Sequence, residues 1–322
     1  MARQCNEAVA EVLFPGALTS LQDLGRHGYQ ALGIAESGAM DAFSLVVANR
    51  LLGNPDDSCA LEATLVGPKL RVLRSTRFAL SGADLSAALD DEPLAPWQSF
   101  RAEPGQVLSF GRRRSGVRAY LAVWGGFDVP LVLGSRSTYI YAGLGGFEGR
   151  PLRKGDLLPA GKAAGSGAEA RKLPQDLIPR LKPPWSMRVI PGPHQDRFTA
   201  EGLHNFFNRA YLVTSQSNRM GYRLSGPPIA HQESPIVVSE ATPLGAVQVP
   251  GQGVPVILLR ERGTTGGYTK IGTIITPDLD LLAQASDREE VRFQGVEVAL
   301  AHRLDKRRWQ ELAKWRPAIP PP

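Results

Sequence analysis

Short apolar runs broken by glycine or proline dominate this chain of 322 residues, and they restrict it to folds built from short strands. The 34 glycines and 26 prolines are spread along the sequence rather than concentrated in one segment. Apolar, β-branched runs between such breakers are typical of strands joined by turns. We therefore predict an all-β protein with a few short helices.

Two segments predict helices instead. In Met40–Leu52 apolar residues recur at spacings of three and four, and Gly53 follows as a natural helix stop. Thr199–Phe207 is the second, with Thr199 as its expected N-cap.

Composition shifts divide the chain into four parts. We predict a first β subdomain over residues 1–160, a linker rich in glycine, alanine and then proline over 161–186, and a second β subdomain over 187–300. Residues 301–322 are basic and end in prolines, and we expect this tail to be loosely ordered.

Bulk properties exclude several classes of function. A net charge of +6 would suit nucleic-acid binding, but no helix-turn-helix, zinc-finger or RNA-binding signature accompanies it. Two cysteines and five histidines lack the spacing of metal ligands, so no metal site is expected. Phosphate-loop and nucleophile-elbow motifs are absent. No apolar segment resembles a signal or membrane span, which favours a cytoplasmic protein.

The segment Val254–Ile275 carries the strongest functional signal. Two apolar runs, Val254–Leu259 and Ile271–Ile275, flank a polar stretch from Thr264 to Lys270 that contains a glycine pair. A plain hairpin needs only two to five turn residues. The stretch is therefore either a surface hairpin with solvated charges or a ligand-binding loop on a rigid β scaffold.

Four further polar blocks place glycine beside ionisable or hydroxyl residues. Each alone could be a local ion pair or a turn. They are Gln22–Tyr29 with Ser37–Asp41, Gly134–Thr138 with Gly143–Arg150, Ser215–Leu224, and Ser239–Glu240 with Gly245–Pro250.

The residues of these blocks and their order along the chain resemble the sequence pattern of one family. QDLGRHGY with SGAMD, GSRST, NRMGYRL, and QVP followed by TTGGYTKI are similar to the signature of a family that includes allophanate hydrolase subunit 2, KipA and the C-type component of 5-oxoprolinase, and that is related to biotin-dependent carboxyltransferases. The resemblance runs from about Val12 to Phe293. The chain departs from the family pattern at His27, Asn218, Gly263 and Thr269.

The resemblance implies two cyclophilin-like β-barrel subdomains and an obligate partner, a subunit-1 or KipI-like protein. It further implies action with a LamB/YcsF-like subunit in an ATP-dependent 5-oxoprolinase complex that opens 5-oxoproline to L-glutamate, with the ATP site unknown. Two alternatives remain open: a carboxyltransferase subunit that uses carboxybiotin carried by another protein to act on urea or a related amide, and a KipA-like regulatory protein that antagonises a kinase inhibitor.

Attack on an amide-like carbonyl requires groups that stabilise an oxyanion and move a proton. We predict catalytic roles for Lys270, Glu240, Tyr268 and Arg219, with Glu240 as general base, and expect these four residues and Gln248 to converge on one cleft. The predicted substrate-binding residues are Thr265, Gly266, Gly267, Gln248, Arg223 and Arg136. Lys270 is expected on an exposed loop, where its replacement would change stability little.

Overall fold

The computed structural model describes residues 8–162 and 170–315, which group into two compact units. Of the described residues, the first unit contains those up to Arg26, those from Ser37 to Leu181, and those from Leu312 to Trp315. The second contains His27–Glu36 and Lys182–Glu311. The predicted boundaries at 160, 186 and 300 stay a prediction, but the assignment of residues 27–36 to the second unit was not foreseen.

Two antiparallel sheets form the first unit. One has six strands in the order β11-β1-β4-β9-β6-β7, and the other has five in the order β2-β3-β10-β5-β8. A single core contains apolar residues of both sheets, among them Val9, Leu61 and Phe78. The strands are β1 (Ala8–Phe14), β2 (Leu18–Gln22), β3 (Ala60–Thr64), β4 (Lys69–Val72), β5 (Thr76–Asp84), β6 (Ala88–Leu89), β7 (Glu92–Pro93), β8 (Gln98–Ala102), β9 (Val107–Ser109), β10 (Ser115–Val123) and β11 (Leu157–Pro159).

Helix α1 (Ala42–Leu52) packs on the five-stranded sheet against β5 and β10. The Asp41 carboxylate caps it by accepting hydrogen bonds from the Ser44 N–H at 2.9 Å and the Ser44 hydroxyl at 2.6 Å. Gly53 ends it in the left-handed conformation, at φ +75°. This helix confirms the prediction over Met40–Leu52.

A closed barrel of seven strands forms the centre of the second unit, in the order β12-β19-β16-β17-β14-β13-β20. All its pairings are antiparallel except β12 with β20, which is parallel. The barrel strands are β12 (Trp185–Pro191), β13 (Tyr211–Val213), β14 (Gly221–Ser225), β16 (Ala246–Gln248), β17 (Val256–Leu258), β19 (Lys270–Ile274) and β20 (Glu290–Gly295).

Three helices accompany these strands. Helix α2 (Ala200–Asn208) is capped by Thr199, as predicted, and helix α3 (Thr276–Leu282) follows β19. Helix α4 (Val298–Lys314) occupies most of the tail that was expected to be loosely ordered, so that expectation is wrong through Lys314. Residues 316–322 lie outside the described residues. Across the described ranges, no helix combines the length and apolar character required to cross a bilayer.

The polar stretch Thr264–Lys270 is not a loop. Residues Thr265–Tyr268 form strand β18, which pairs with β15 (Ile236–Ala241) in a separate two-stranded sheet. Lys270 begins the barrel strand β19. The prediction failed because the pairing partner lies about thirty residues away and local sequence does not reveal it. The all-β class with a few helices is confirmed.

We predict that Asp41→Ala lowers the free energy of unfolding of the first unit by about 1–2 kcal/mol, because the N–H of Ser44 loses its buried acceptor. Urea unfolding of the two proteins measures the difference. Asp57→Ala, at an exposed position just beyond the same helix, is the matched control and is expected to stay close to the original. Equal loss in both variants would contradict the capping role.

Candidate functional site

An ion pair joins the barrel to the β15–β18 sheet. The Lys270 Nζ atom lies 2.5 Å from Oε1 of Glu240. Lys270 is 4% exposed, whereas the side chain of Glu240 is 43% exposed. The expectation of an exposed lysine was therefore wrong, since Lys270 stands in a barrel strand and its charge is buried against one half-exposed acid.

His194 is a third member of this group, which we call the Lys270 triad (His194, Glu240 and Lys270). Its Nδ1 atom accepts a hydrogen bond from the backbone N–H of Lys270 at 3.1 Å. A neutral imidazole that accepts through Nδ1 carries its proton on Nε2, and Nε2 lies 3.4 Å from Oε1 of Glu240. Sequence analysis missed His194, which is 76 residues from Lys270 and belongs to no motif.

The environment of Glu240 favours its ionised form. The close contact with the Lys270 ammonium is the main cause that lowers the pKa of this carboxyl below its ordinary 4.5, and the adjacent His194 ring adds to the shift. Glu240 is therefore a carboxylate at neutral pH. It can accept a proton, but it is a weaker base than an unpaired glutamate.

A cleft of about 430 Å³ is lined by Gln248, the strand partner of Lys270, although no member of the triad lines it. Its wall includes Gln248, Tyr268, Arg223, Asn218 and Gln252, and Met220, Val256 and Leu258 add apolar surface. We call it the Gln248 cleft. Polar donors around a partly apolar concavity are typical of sites for small ligands.

Gln248 has a buried side-chain N–H donor in this cleft that lacks an acceptor among the described residues; we call it the orphan donor. Its side chain is buried, with 7% exposure, and its Nε2 atom has no hydrogen-bond partner among the described residues. An unsatisfied buried amide is costly, so a ligand acceptor in the cleft would stabilise it. The exposed Arg223 and the 44% exposed Tyr268 add a cation and a phenol.

Strand register connects the cleft to the triad. Gln248 lies opposite Lys270 in the barrel, and Glu240 lies opposite Gly266 in the two-stranded sheet. A Cβ atom at Gly266 would stand 2.7 Å from Nε2 of Gln248. A side chain at position 266 would therefore displace the Gln248 amide, so close approach explains this glycine, whereas the sequence allowed either close approach or a positive φ.

The remaining predicted residues lie elsewhere. Arg219 is buried, and its Nε atom donates to Oε1 of Glu261 at 2.5 Å rather than lining the cleft. Thr265 lines a separate cavity. Arg136 belongs to the first unit, where it contacts Asp128. Gly267 lies in β18, where a Cβ atom would stand 3.1 Å from the Val237 carbonyl oxygen. Gln248, Tyr268 and Arg223 thus line one cleft, whereas Glu240 and Lys270 do not line it and are related to it by strand register.

We predict an asymmetric response when either member of the ion pair loses its charge. Glu240→Gln leaves a buried ammonium without its anion and is expected to cost about 1–3 kcal/mol of unfolding free energy. Lys270→Met leaves a half-exposed carboxylate that water can solvate, so its cost should be smaller. Urea unfolding at neutral pH compares the two.

The pH dependence provides the control for this prediction. Because its folded-state pKa is lowered, the stabilisation from Glu240 is present above pH 4.5 and is lost as the pH falls through the lowered value. The difference between the original protein and Glu240→Gln should therefore shrink in acid. A difference that is independent of pH would contradict the assignment.

Comparison with known proteins gives a consistent result. The family described as carboxyltransferase domain, subdomain A and B, matches residues 32–295. The C-type component of 5-oxoprolinase from Escherichia coli K12 is 39% identical over 312 residues, which cover 95% of this chain and 98% of the relative. The protein of the same name from Haemophilus influenzae is 33% identical and covers 92% and 94%.

Solved structures agree on the fold. The K. lactis urea amidolyase superposes with a TM-score of 0.92 at 33% identity, over 97% of this chain. The Kluyveromyces lactis urea carboxylase gives 0.91 at 34% identity, over 96% of this chain. This chain spans only 20% and 29% of those two larger proteins. Since the family match extends over most of its length, the chain belongs to the carboxyltransferase domain family of subdomains A and B.

Proposed function

We propose that this chain is the C-type component of an ATP-dependent 5-oxoprolinase, a complex that opens the lactam of 5-oxoproline with water to give L-glutamate. The observation that carries the proposal is the end-to-end match to the C-type component of the Escherichia coli 5-oxoprolinase. That relative is covered over 98% of its length, whereas the urea amidolyase of Lachancea kluyveri is covered over only 17%.

The Gln248 cleft suits such a substrate chemically. 5-Oxoproline is small and carries a carboxylate and a cyclic amide. The orphan N–H of Gln248 would donate to the lactam carbonyl, where negative charge develops during attack. Arg223 would hold the carboxylate, and Tyr268 would donate a second hydrogen bond.

In the proposed reaction the Lys270 triad would stabilise negative charge and transfer a proton. Lys270 places a positive charge next to the strand position of Gln248, which favours a developing oxyanion. Glu240 is ionised and half-exposed, so it can take a proton from water and return it to the leaving nitrogen. His194 fixes the Lys270 backbone and faces Glu240, which makes it a positioning residue.

The complex supplies what this chain lacks. The sequence has no phosphate loop of the GxxxxGK[ST] type, and we assign no residue of the Gln248 cleft or the Lys270 triad to ATP, which would drive the reaction. We propose a subunit-1 or KipI-like protein and a LamB/YcsF-like subunit as partners, with the whole complex in the cytoplasm. We also propose that the chain alone is inactive.

The urea carboxylase relatives favour one alternative, carboxyl transfer to urea or a related amide. The orphan donor of Gln248 fits the carbonyl of a biotin ring as well as that of a lactam. Carboxybiotin would supply an activated carboxyl group, carried on another protein because no lysine in this chain follows a methionine.

We predict that the isolated chain releases no glutamate from 5-oxoproline and that activity appears only when both partner proteins and ATP are present. Glutamate release measured with each component omitted in turn tests this. Turnover by the chain alone would contradict the proposal. Carboxylation of urea by a biotin-containing partner, without glutamate release, would favour the alternative.

We predict that Lys270→Met and Gln248→Met each slow turnover of the assembled complex by roughly 10²–10³, the usual loss when one oxyanion donor is removed. Lys306→Met and Gln294→Met, at exposed positions of the second unit, are the matched controls and should retain activity. Unchanged kinetics in a folded, assembled Lys270→Met complex would remove Lys270 from the mechanism.

A further inference from the structure

A second cavity, of about 860 Å³, lies in the same unit and is assigned no role in the proposed reaction. We call it the Arg260 cavity. Arg260, Arg262, Thr264 and Thr265 form one side, and His27 and Glu36 come from the segment His27–Glu36. Its volume is within the range of sites for cofactor-sized molecules.

The sequence Arg260-Glu261-Arg262 divides its charges between two environments. Glu261 is 1% exposed and pairs with the buried Arg219. Arg260 and Arg262, on either side of it, both line the cavity. Glu261 therefore neutralises Arg219 in the interior, whereas Arg260 and Arg262 both line the cavity.

These two cations differ in their partners. Arg262 is 4% exposed, donates to the backbone carbonyls of Thr242 and Leu259, and lies 3.6 Å from Glu36. Arg260 is half-buried and forms no hydrogen bond or ion pair with any residue in 8–162 or 170–315. Within the part of the chain that the structure describes, the Arg260 guanidinium is therefore not paired with an anion.

The local electrostatics are unfavourable without a further negative charge. Burial is the main cause that lowers the pKa of Arg262, and the neighbouring charge of Arg260 lowers it further, while Glu36 opposes the shift. Glu36 is also shared, since it accepts a hydrogen bond from Gln30 and lies 3.7 Å from His27. The Glu36 carboxylate is thus shared among Gln30, His27 and Arg262.

We propose that the Arg260 cavity binds an organic phosphate, with the phosphate group on Arg260 and Arg262. Guanidinium groups match phosphate oxygens in geometry and charge, and the hydroxyls of Thr264 and Thr265 provide further donors. The cavity is larger than a phosphate ion requires, and Ala31, Pro243 and Leu244 provide apolar surface for the organic part.

This site would act separately from the Gln248 cleft but would share a wall with it. Arg262 lines both cavities, and Thr264 and Thr265 of the Arg260 cavity lie in the chain between Gly263 and Tyr268 of the Gln248 cleft. A ligand that binds Arg262 would therefore contact the segment that leads into strand β18, which contains Tyr268. Phosphate binding in the Arg260 cavity is expected whichever substrate binds in the Gln248 cleft.

The test is a calorimetric titration of the full-length protein with ADP, inorganic phosphate and acetate as probes. ADP and phosphate are expected to bind, and Arg260→Ala should weaken both by about 10- to 100-fold, as expected for loss of a charged hydrogen bond. Arg303→Ala, which removes the same charge from an exposed position of α4, is the matched control and should leave binding unchanged. Glu36→Gln should strengthen binding, because it removes the competing anion.

Four results would overturn the proposal. They are absence of ADP and phosphate binding, equal affinity in the original protein and Arg260→Ala, acetate binding as tight as that of phosphate, and loss of binding in Arg223→Ala but not in Arg260→Ala. The last would locate the anion in the Gln248 cleft. Thermal unfolding of each variant checks that it is folded.

Discussion

The burial of Lys270 is the constraint on which the candidate site depends. An ammonium inside a barrel strand is tolerated only when an anion neutralises it. The anion is Glu240, which belongs to the two-stranded sheet outside the barrel. Charge neutralisation thus fixes this sheet against the barrel. The same contact sets the position of Gly266 over Gln248 and so determines the shape of the cleft.

Arginine has different uses in this unit according to its surroundings. Arg219 is neutralised by Glu261 in the interior and contributes to packing. Arg223 is exposed at the mouth of a cleft and is available to a ligand. Arg262 lies between these cases, because backbone carbonyls satisfy part of its guanidinium while its charge has one shared acid. Residue type alone therefore did not separate arginines that are paired in the interior from those that are exposed at a cleft.

Sequence analysis predicted what depends on local periodicity. The class of fold and helices α1 and α2 follow from spacing and capping residues, and the apolar runs beside the glycine pair contain β17 and all of β19 except Lys270. Long-range pairing could not be predicted in this way. The partner of Thr265–Tyr268 is Ile236–Ala241, and a polar segment with two glycines resembles a loop until that partner is known. The same limit concealed His194 and the buried pair of Arg219.

The path of the chain has a consequence for how such proteins can be recombined. The segment His27–Glu36 is inserted into the sequence of the first unit but belongs to the second. No single cut between residues 161 and 186 separates the two units intact, because the downstream piece would lack Glu36, the ion-pair partner of the buried Arg262. A single crossover between relatives in this range would therefore combine the residue at position 36 of one parent with the residue at position 262 of the other. The two units are expected to have been inherited as one module, whether as a separate protein or within a larger polypeptide.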